Sequence, residues 1–328
     1  MGSEGWALRQ RARLNLLRAQ NCAHATLLSM EDVFCNRDPV LMRAATNLEG
    51  GVVGCGETCG VVSAGVLAIG GLLSTAGYQS PRAREQAIQR VAASYKSWFE
   101  GRFGTSLCRE RVQVDFSTAR GLLRYLIPGD RLLRCLEHIG LAAGFLTERL
   151  REELSAANKR ESAREEKGEQ AGGGPGEPHC TFTVLKMVYP EQIGFTDSLR
   201  WATTGLAGGI ALTGAVCGAL LGGILAIGLK YGYDARVTSR AAVTAAFIRG
   251  HWNLLRHRHP GPPPREAFAT SRFLAERFQR QFGSMRCEEI SSRSFASAED
   301  LRSFLESSLQ CGEVLSWCGE QARRLVGA

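Results

Sequence analysis

Apolar side chains recur three or four residues apart through most of this chain. Between 81 and 103, Ala87, Ile88, Val91, Ala92, Tyr95, Trp98 and Phe99 form one stripe. Between 128 and 152, Leu132, Leu133, Leu136, Ile139, Ala143, Leu146 and Leu150 form another. That spacing puts each set on one face of a helix. No alternating run with hairpin signals stands out, so the pattern predicts an all-α protein. Residues 201–229, WATTGLAGGIALTGAVCGALLGGILAIGL, depart from it by carrying no charge at all. Such a stretch has the length of a membrane span, and Gly214, Gly218 and Gly222 stand at the four-residue spacing that lets helices approach closely. A related stretch earlier in the chain carries Glu49 and Glu57, and a charge near the middle of a span costs about 2.5–3.5 kcal/mol for the costlier residues. Both stretches are therefore read as buried Gly-rich helices of a soluble, cytoplasmic protein, with a membrane protein using them as spans as the alternative.

The relation between the two stretches is part of an internal duplication. A shift of 158 residues aligns 22–70 on 180–228 without a gap. It superposes Cys22 on Cys180, Gly50 on Gly208, Gly51 on Gly209, Gly56 on Gly214, Cys59 on Cys217, Gly60 on Gly218 and Gly70 on Gly228. The likeness resumes where WFEGRFGTSLC ends at Cys108 and RFQRQFGSMRC ends at Cys287, and again around Cys135 and Cys311. The second copy is longer between its second and third cysteines, and HWNLLRHRHPGPPPRE is read as a Pro-rich loop inserted there. The predicted organisation is two homologous helical units, 1–154 and 179–328, joined by a flexible linker at 155–178. The linker is charged and Gly-rich and has too little apolar surface to offset its ordering entropy. The two units make a pseudo-dimer within one chain.

Charge and termini narrow the possibilities. The net charge of +8 comes from 40 basic and 32 acidic side chains, and only five of the basic ones are Lys. No dense basic stripe forms, so no nucleic-acid partner is expected. MGSEGWALRQRARLNLLRAQ is charged, with no uninterrupted apolar core, so it is not read as a secretory signal. Nor does it fit a myristoylation site, which calls for Ser or Thr where Trp6 stands.

The candidate chemistry is at sulfur. Eleven cysteines are present, an odd number, and in a chain this long, read as having no secretory signal, a disulfide scaffold is not expected. Four recur in order in each unit: Cys22, Cys59, Cys108 and Cys135, then Cys180, Cys217, Cys287 and Cys311. Four thiols close a tetrahedral metal site or an iron–sulfur cluster, and here they would have to come from four separate helices, since no C-x-x-C turn supplies a pair. Dithiol–disulfide exchange is the other option. Any one cysteine is most simply a small buried hydrophobe, but a quartet kept in order across two diverged copies is more than packing asks. Cys35, Cys55 and Cys318 have no counterpart, and the sequence assigns them no role. Cys55 and Cys59, four apart, would share a face if helical. His24 and His179 lie near the first matched cysteines at different offsets and are read as surface or supporting groups, and His257 and His259 as solvated. GVVGCGETCG lacks the strand, spacing and acidic residue of a dinucleotide loop.

This order of residues resembles the C_GCAxxG_C_C family of redox-active proteins. Cys217-Gly218-Ala219-Leu220-Leu221-Gly222 matches C-G-A-x-x-G in full. The first unit has Gly56-Glu57-Thr58-Cys59-Gly60, then departs at Val61 and Ala64, whereas the second lacks the Glu and has Ala215. The resemblance spans about 14–150 and 179–326. It implies a small helical unit and a redox role for the quartet, with an undefined redox partner. The family is similar to the split-Soret cytochrome c group, but no C-x-x-C-H occurs here, so covalent haem is not expected. Three readings follow. The chain is a redox protein, holding iron–sulfur clusters or cycling dithiols; or an interaction module whose cysteines only pack; or a membrane protein.

Overall fold

The computed structural model of the chain describes residues 3–116, 118–165, 179–190, 197–256 and 265–327. The first unit runs through α1 (Ser3–Ala19), α2 (Cys22–Phe34), α3 (Pro39–Ala44), a 3-10 turn (Ala45–Leu48), α4 (Gly60–Leu73), α5 (Pro81–Phe103), α6 (Cys108–Val112), α7 (Ala119–Leu126) and α8 (Asp130–Glu165). The second runs through α9 (Cys180–Val188), α10 (Asp197–Thr204), α11 (Gly218–Tyr231), α12 (Arg240–Arg256), α13 (Ala267–Phe282), α14 (Cys287–Ser291), α15 (Ala298–Ser307) and α16 (Leu309–Val326). The protein is all-α, and no strand longer than an isolated bridge occurs among the described residues.

Matching end signals punctuate matching helices. Thr118 caps α7 by accepting from the Gly121 amide, and Ser297 caps α15 by accepting from the Asp300 amide. Helix α5 ends at Gly104 and α13 at Gly283, both left-handed (φ 87° and 76°), as glycine permits at a C-terminus. Among the described helices of the second unit, only α12, which falls in the longer part of that copy, has no partner in the first.

The buried residues of both units form one continuous core. Helix α4 lies along α10 of the other unit, and α11 lies along α3. The exchange is two-fold in character. A Cβ placed on Gly70 would stand 2.2 Å from the Trp201 carbonyl oxygen, and one on Gly228 would stand 2.3 Å from the Ala44 carbonyl oxygen. Glycine is what lets each helix touch the other unit's backbone. Polar contacts close the seam: Gln89 donates to the Thr204 carbonyl at 2.8 Å, and Arg302 grips both oxygens of Glu85 at 2.9 and 2.8 Å.

Several expectations need correction. Neither Gly-rich stretch is one helix. Residues 205–217 form a compact loop between α10 and α11, because Gly208, Gly209 and Gly214 take positive φ. The same occurs at 49–59, so Cys55 lies in a turn and shares no helical face with Cys59. What remains helical, α4 and most of α11, is buried, and no helix among the described residues is long and apolar enough to cross a membrane. Helix α8 continues to Glu165, well into the segment read as a flexible linker. Most of its residues between Asp130 and Ala157 that face the first unit are apolar and continue the stripe seen in the sequence. The insert opens as helix, since α12 reaches Arg256; His257 and His259 lie outside the described residues.

Candidate functional site

Each Gly-rich loop is built on a run of left-handed residues. Gly50, Gly51, Val52, Val53 and Gly54 have φ between 50° and 72°, and Gly208, Gly209, Ile210, Ala211 and Leu212 have φ between 53° and 79°. The five together make a short left-handed turn, at a cost of roughly 1–2 kcal/mol for each residue that carries a Cβ. Two diverged copies keep this strain, and the sulfur atoms suggest why. The turn aims the Gly50 amide at the Cys22 sulfur and the Gly208 amide at the Cys180 sulfur. Gly60, the first residue of α4, completes the fit, because a Cβ there would stand 2.6 Å from the Cys22 sulfur, and on Gly218 it would stand 2.5 Å from the Cys180 sulfur.

A two-residue antiparallel bridge then ties the second and third cysteines together. Thr58 pairs with Leu107, and Val216 with Arg286. The Cys59 amide donates to the Ser106 carbonyl and the Cys108 amide to the Glu57 carbonyl, both at 2.8 Å. In the second unit the Cys217 amide donates to Met285 at 2.8 Å and the Cys287 amide to Ala215 at 2.7 Å. Cys22 and Cys108 begin α2 and α6, Cys59 immediately precedes α4, and Cys135 lies within α8. Helix starts carry partial positive charge, so three of four sulfurs sit where negative charge is least unfavourable.

Cys22, Cys59, Cys108 and Cys135 line one cavity of about 70 Å³, room for water-sized or inorganic groups and not for an organic cofactor. Burial pushes all four thiols up, and they raise one another: Cys22 is raised further by Cys59 and Cys135, Cys108 by the other three, and Cys59 reaches about 12. The amides of Val61 and Val62 act on the Cys59 sulfur in the opposite sense. The sulfurs are polar-furnished. The Tyr125 hydroxyl donates to the Cys135 sulfur, and the Arg111 cation favours the charged forms of Cys59 and Cys135. Arg111 is itself held by His138, whose Nε2 accepts from it at 2.6 Å, and by the Phe103 carbonyl. His138 is depressed to about 3 by burial and by Arg111 and Arg134, so it is neutral. Glu49, at the rim beside Cys22, is pushed up to about 8 by burial and by Glu266. The second unit also reaches over the opening: Phe247 and His251 of α12 and Phe268 of α13 line the same cavity.

Cys180, Cys217, Cys287 and Cys311 converge likewise. Burial raises Cys287, and the charges of Cys217, Cys180 and Cys311 raise it further. Cys180 and Cys287 sit in an apolar cluster with Ala207, Phe295 and Leu301, flanked by Phe304, as Cys108 sits with Val112, Val114 and Phe116, flanked by Tyr125; the hydroxyls of Thr181, Ser291 and Ser308 favour the charged forms of Cys180, Cys287 and Cys311. Cys318, fully buried, is a fifth thiol near this group and interacts with Cys217 and Cys180.

Cys35 is exposed and Cys55 is half-buried beside Arg272 of α13, with burial pushing its thiol up to about 11. His24 and His179 are buried, which leaves of their two readings the supporting one and not the surface one; each is depressed to about 4 by desolvation. His24 bonds the Met42 carbonyl at 2.9 Å, and His179 caps α9. Among the described residues no group of three or more His, Cys, Asp or Glu side chains is placed to hold a single metal ion. An iron–sulfur cluster spreads its four thiolates over several metal atoms and so asks for a wider set of sulfurs than one tetrahedral ion does. The four-cysteine donor set and the small lined cavity fit that kind of group.

Arg111, Tyr125, His138 and Glu49 were not singled out as site residues from the sequence. The signal that could have found them is a comparison of the two copies around the cysteines rather than at them. A family model described as "Putative redox-active protein (C_GCAxxG_C_C)" matches residues 20–149 and again 178–325, which together make up most of the chain. No curated protein and no solved structure matches it.

Proposed function

The chain belongs to the C_GCAxxG_C_C family, and on that premise we propose that it is an electron carrier whose cysteine quartets, Cys22, Cys59, Cys108, Cys135 and Cys180, Cys217, Cys287, Cys311, hold iron–sulfur clusters. The observation that carries the reading is the gathering of four thiols, two buried and two half-buried, around one small cavity with backbone amides aimed at the Cys22 and Cys59 sulfurs. Left alone, the thiols oppose one another's ionisation and stay protonated. A polynuclear metal centre relieves that repulsion by binding them as thiolates, and amides directed at ligand sulfurs are the means by which proteins tune such centres. The electron partner is a redox protein of undefined identity, and the cytoplasm, where thiols stay reduced, is the compartment that suits the chemistry.

Purification without oxygen, followed by iron and acid-labile sulfide analysis and an absorption spectrum, tests the proposal. The expected result is a coloured protein that loses the first quartet's share of its iron in Cys59→Ser. A colourless protein with eleven thiols titratable in the native state would overturn the cluster. A second reading, dithiol–disulfide cycling within the quartets, is favoured by the lack of a single-ion site among the described residues. It gives a metal-free protein in which oxidation removes thiols in pairs. If Cys59→Ser and Cys217→Ser change neither metal content nor redox behaviour, the cysteines only pack.

A further inference from the structure

The two quartets share their sulfurs and the backbone that holds them, and differ in several of the side chains around them. The alignment that superposes Cys22 on Cys180 sets Glu49 on Ala207. The register that superposes Cys108 on Cys287 sets Arg111 on Ile290, Phe116 on Phe295, the caps Thr118 on Ser297, and Tyr125 on Phe304. The register of Cys135 on Cys311 sets His138 on Val314. The superposition holds in space as well as in sequence: Phe116 meets Tyr125 at 5.3 Å between ring centres and 66°, and Phe295 meets Phe304 at 5.4 Å and 53°. Four polar groups around the first quartet therefore have four apolar counterparts around the second.

Polar groups inside a protein are costly unless they are used or paired. Arg111 and His138 pair with each other, and Tyr125 with Cys135. The second unit shows that the fold closes as well with Ile, Val and Phe in their places, so the fold itself does not require them. The insert adds to the difference. Helix α12 carries Phe247 and His251 over the first cavity, and the His251 Nδ1 bonds the Phe247 carbonyl at 2.9 Å, which turns its other ring nitrogen into an acceptor. The second quartet has the hydroxyls of Thr181, Ser291 and Ser308 beside its sulfurs but Ile, Val and Phe in place of the cation, imidazole and phenol, and it has a fifth thiol, Cys318, where the first unit has Ala142.

We infer that the chain has one working redox site, the first quartet, built from both units, and that the second quartet has become core packing. This rests on the redox reading above and narrows it from two quartets to one. The first site has a cation and a hydroxyl donor on its sulfurs and a wall borrowed from the second unit. The second quartet keeps the cysteines as close-fitting small apolar side chains.

The full chain purified without oxygen is measured for iron and sulfide as wild type, as Cys22→Ser/Cys108→Ser, and as Cys180→Ser/Cys287→Ser. One cluster's worth of iron per chain is expected, lost with the first pair and kept with the second. Two clusters per chain, or loss with the second pair, overturns the inference and leaves the redox reading intact. Because cysteine pairs in a core can disturb folding, a second variant carries Arg111→Ile, Tyr125→Phe and His138→Val, residues the second unit already accommodates. It should keep wild-type helicity while its iron content falls severalfold. Where wild type holds no iron, the reduced chain is treated with glutathione disulfide. A quartet thiolate attacks the S–S bond, forming a mixed disulfide and releasing one glutathione thiolate. A second quartet thiol, losing its proton, then displaces the other glutathione and closes a protein disulfide, so two protein thiols are oxidised and one glutathione disulfide is reduced to two thiols. Mapping by differential alkylation and mass spectrometry should find disulfide among Cys22, Cys59, Cys108 and Cys135 only. Disulfide in the second quartet overturns the inference alone, and no iron with no disulfide in either overturns both it and the redox reading.

Discussion

The contact between the two units can be tested at a single hydrogen. Gly70 lies mid-helix in α4, and replacing it with Ala would ordinarily stabilise a helix by about 1 kcal/mol. Here the added methyl carbon would stand 2.2 Å from the Trp201 carbonyl oxygen and 2.6 Å from the Ala202 Cα, so α4 and α10 must separate by about 1 Å before contact becomes ordinary. The opposing atoms are backbone and cannot swing aside, so the cost lies at the upper end of the overpacking range, about 3 kcal/mol or more. Propensity offsets a third of it, leaving a net loss of roughly 2 kcal/mol. Gly228→Ala meets the Ala44 carbonyl at 2.3 Å and should lose about as much, since the two positions are related by the internal two-fold. Gly101→Ala is the control: nothing lies within 4 Å of a Cβ there, so α5 should gain up to about 1 kcal/mol. Urea unfolding of the full chain, followed by far-ultraviolet circular dichroism, measures all three. Because one core spans both units, each curve should show a single transition. A Gly70→Ala midpoint equal to wild type or raised like that of Gly101→Ala would refute the packing argument.

Three further outcomes follow from the geometry. Ala211→Gly removes a methyl group from a left-handed residue (φ 53°); the strain relieved, about 1–2 kcal/mol, should nearly cancel the lost burial and added chain entropy. Ala226→Gly, buried in α11, has no strain to relieve, so its urea midpoint should fall by the equivalent of at least 1 kcal/mol more. His24, near 4 in the fold, takes a proton in the unfolded chain at about 6.5. The unfolded state binds the extra proton between those values, so stability is full above pH 6.5 and falls as pH drops toward 4, by up to about 3 kcal/mol. Glu49, near 8 in the fold, works in the opposite sense over an overlapping range, so the check is a comparison: the fall in denaturation midpoint from pH 7 to pH 4.5 should be shallower in His24→Gln than in wild type. Tyr125→Phe removes the hydroxyl that holds the Cys135 thiolate, and a bond to a charged group is worth about 1.5 kcal/mol. Alkylation of Cys135 in the metal-free protein at pH 8.5 should slow about tenfold; an unchanged rate would detach Tyr125 from the sulfur.

The helices with one apolar face were legible in the sequence, and α5 buries the very stripe its spacing marks: Ala87, Ile88, Val91, Ala92, Tyr95 and Phe99. The duplication and the order of its cysteines were legible too, because identity between copies needs no structural knowledge. The interior of the Gly-rich stretches was not. Hydropathy is the same whether Val52 and Ile210 sit in a right-handed helix or a left-handed turn, and only the neighbouring glycines hint at the second. The end of α8 was missed because residues after Leu154 are polar and helical at once. The polar groups of the first site come from three successive helices, α6, α7 and α8, and from the turn before α4, and only the fold aims them at one set of sulfurs. Their contrast with Ile290, Phe304, Val314 and Ala207 was nonetheless written in the sequence, one comparison beyond the cysteines.

The crossed seating of α4 on α10 and α11 on α3 has an evolutionary consequence. A polypeptide made of one such unit would leave its glycine ridge bare until it met a twin, and every substitution would then appear in both halves of the pair. Joining the halves end to end lifts that constraint. Each ridge still finds its seat, now at a local concentration fixed by the tether and independent of how much protein is present. Change on one side is no longer mirrored on the other, so one half is free to specialise while its sibling serves as scaffold.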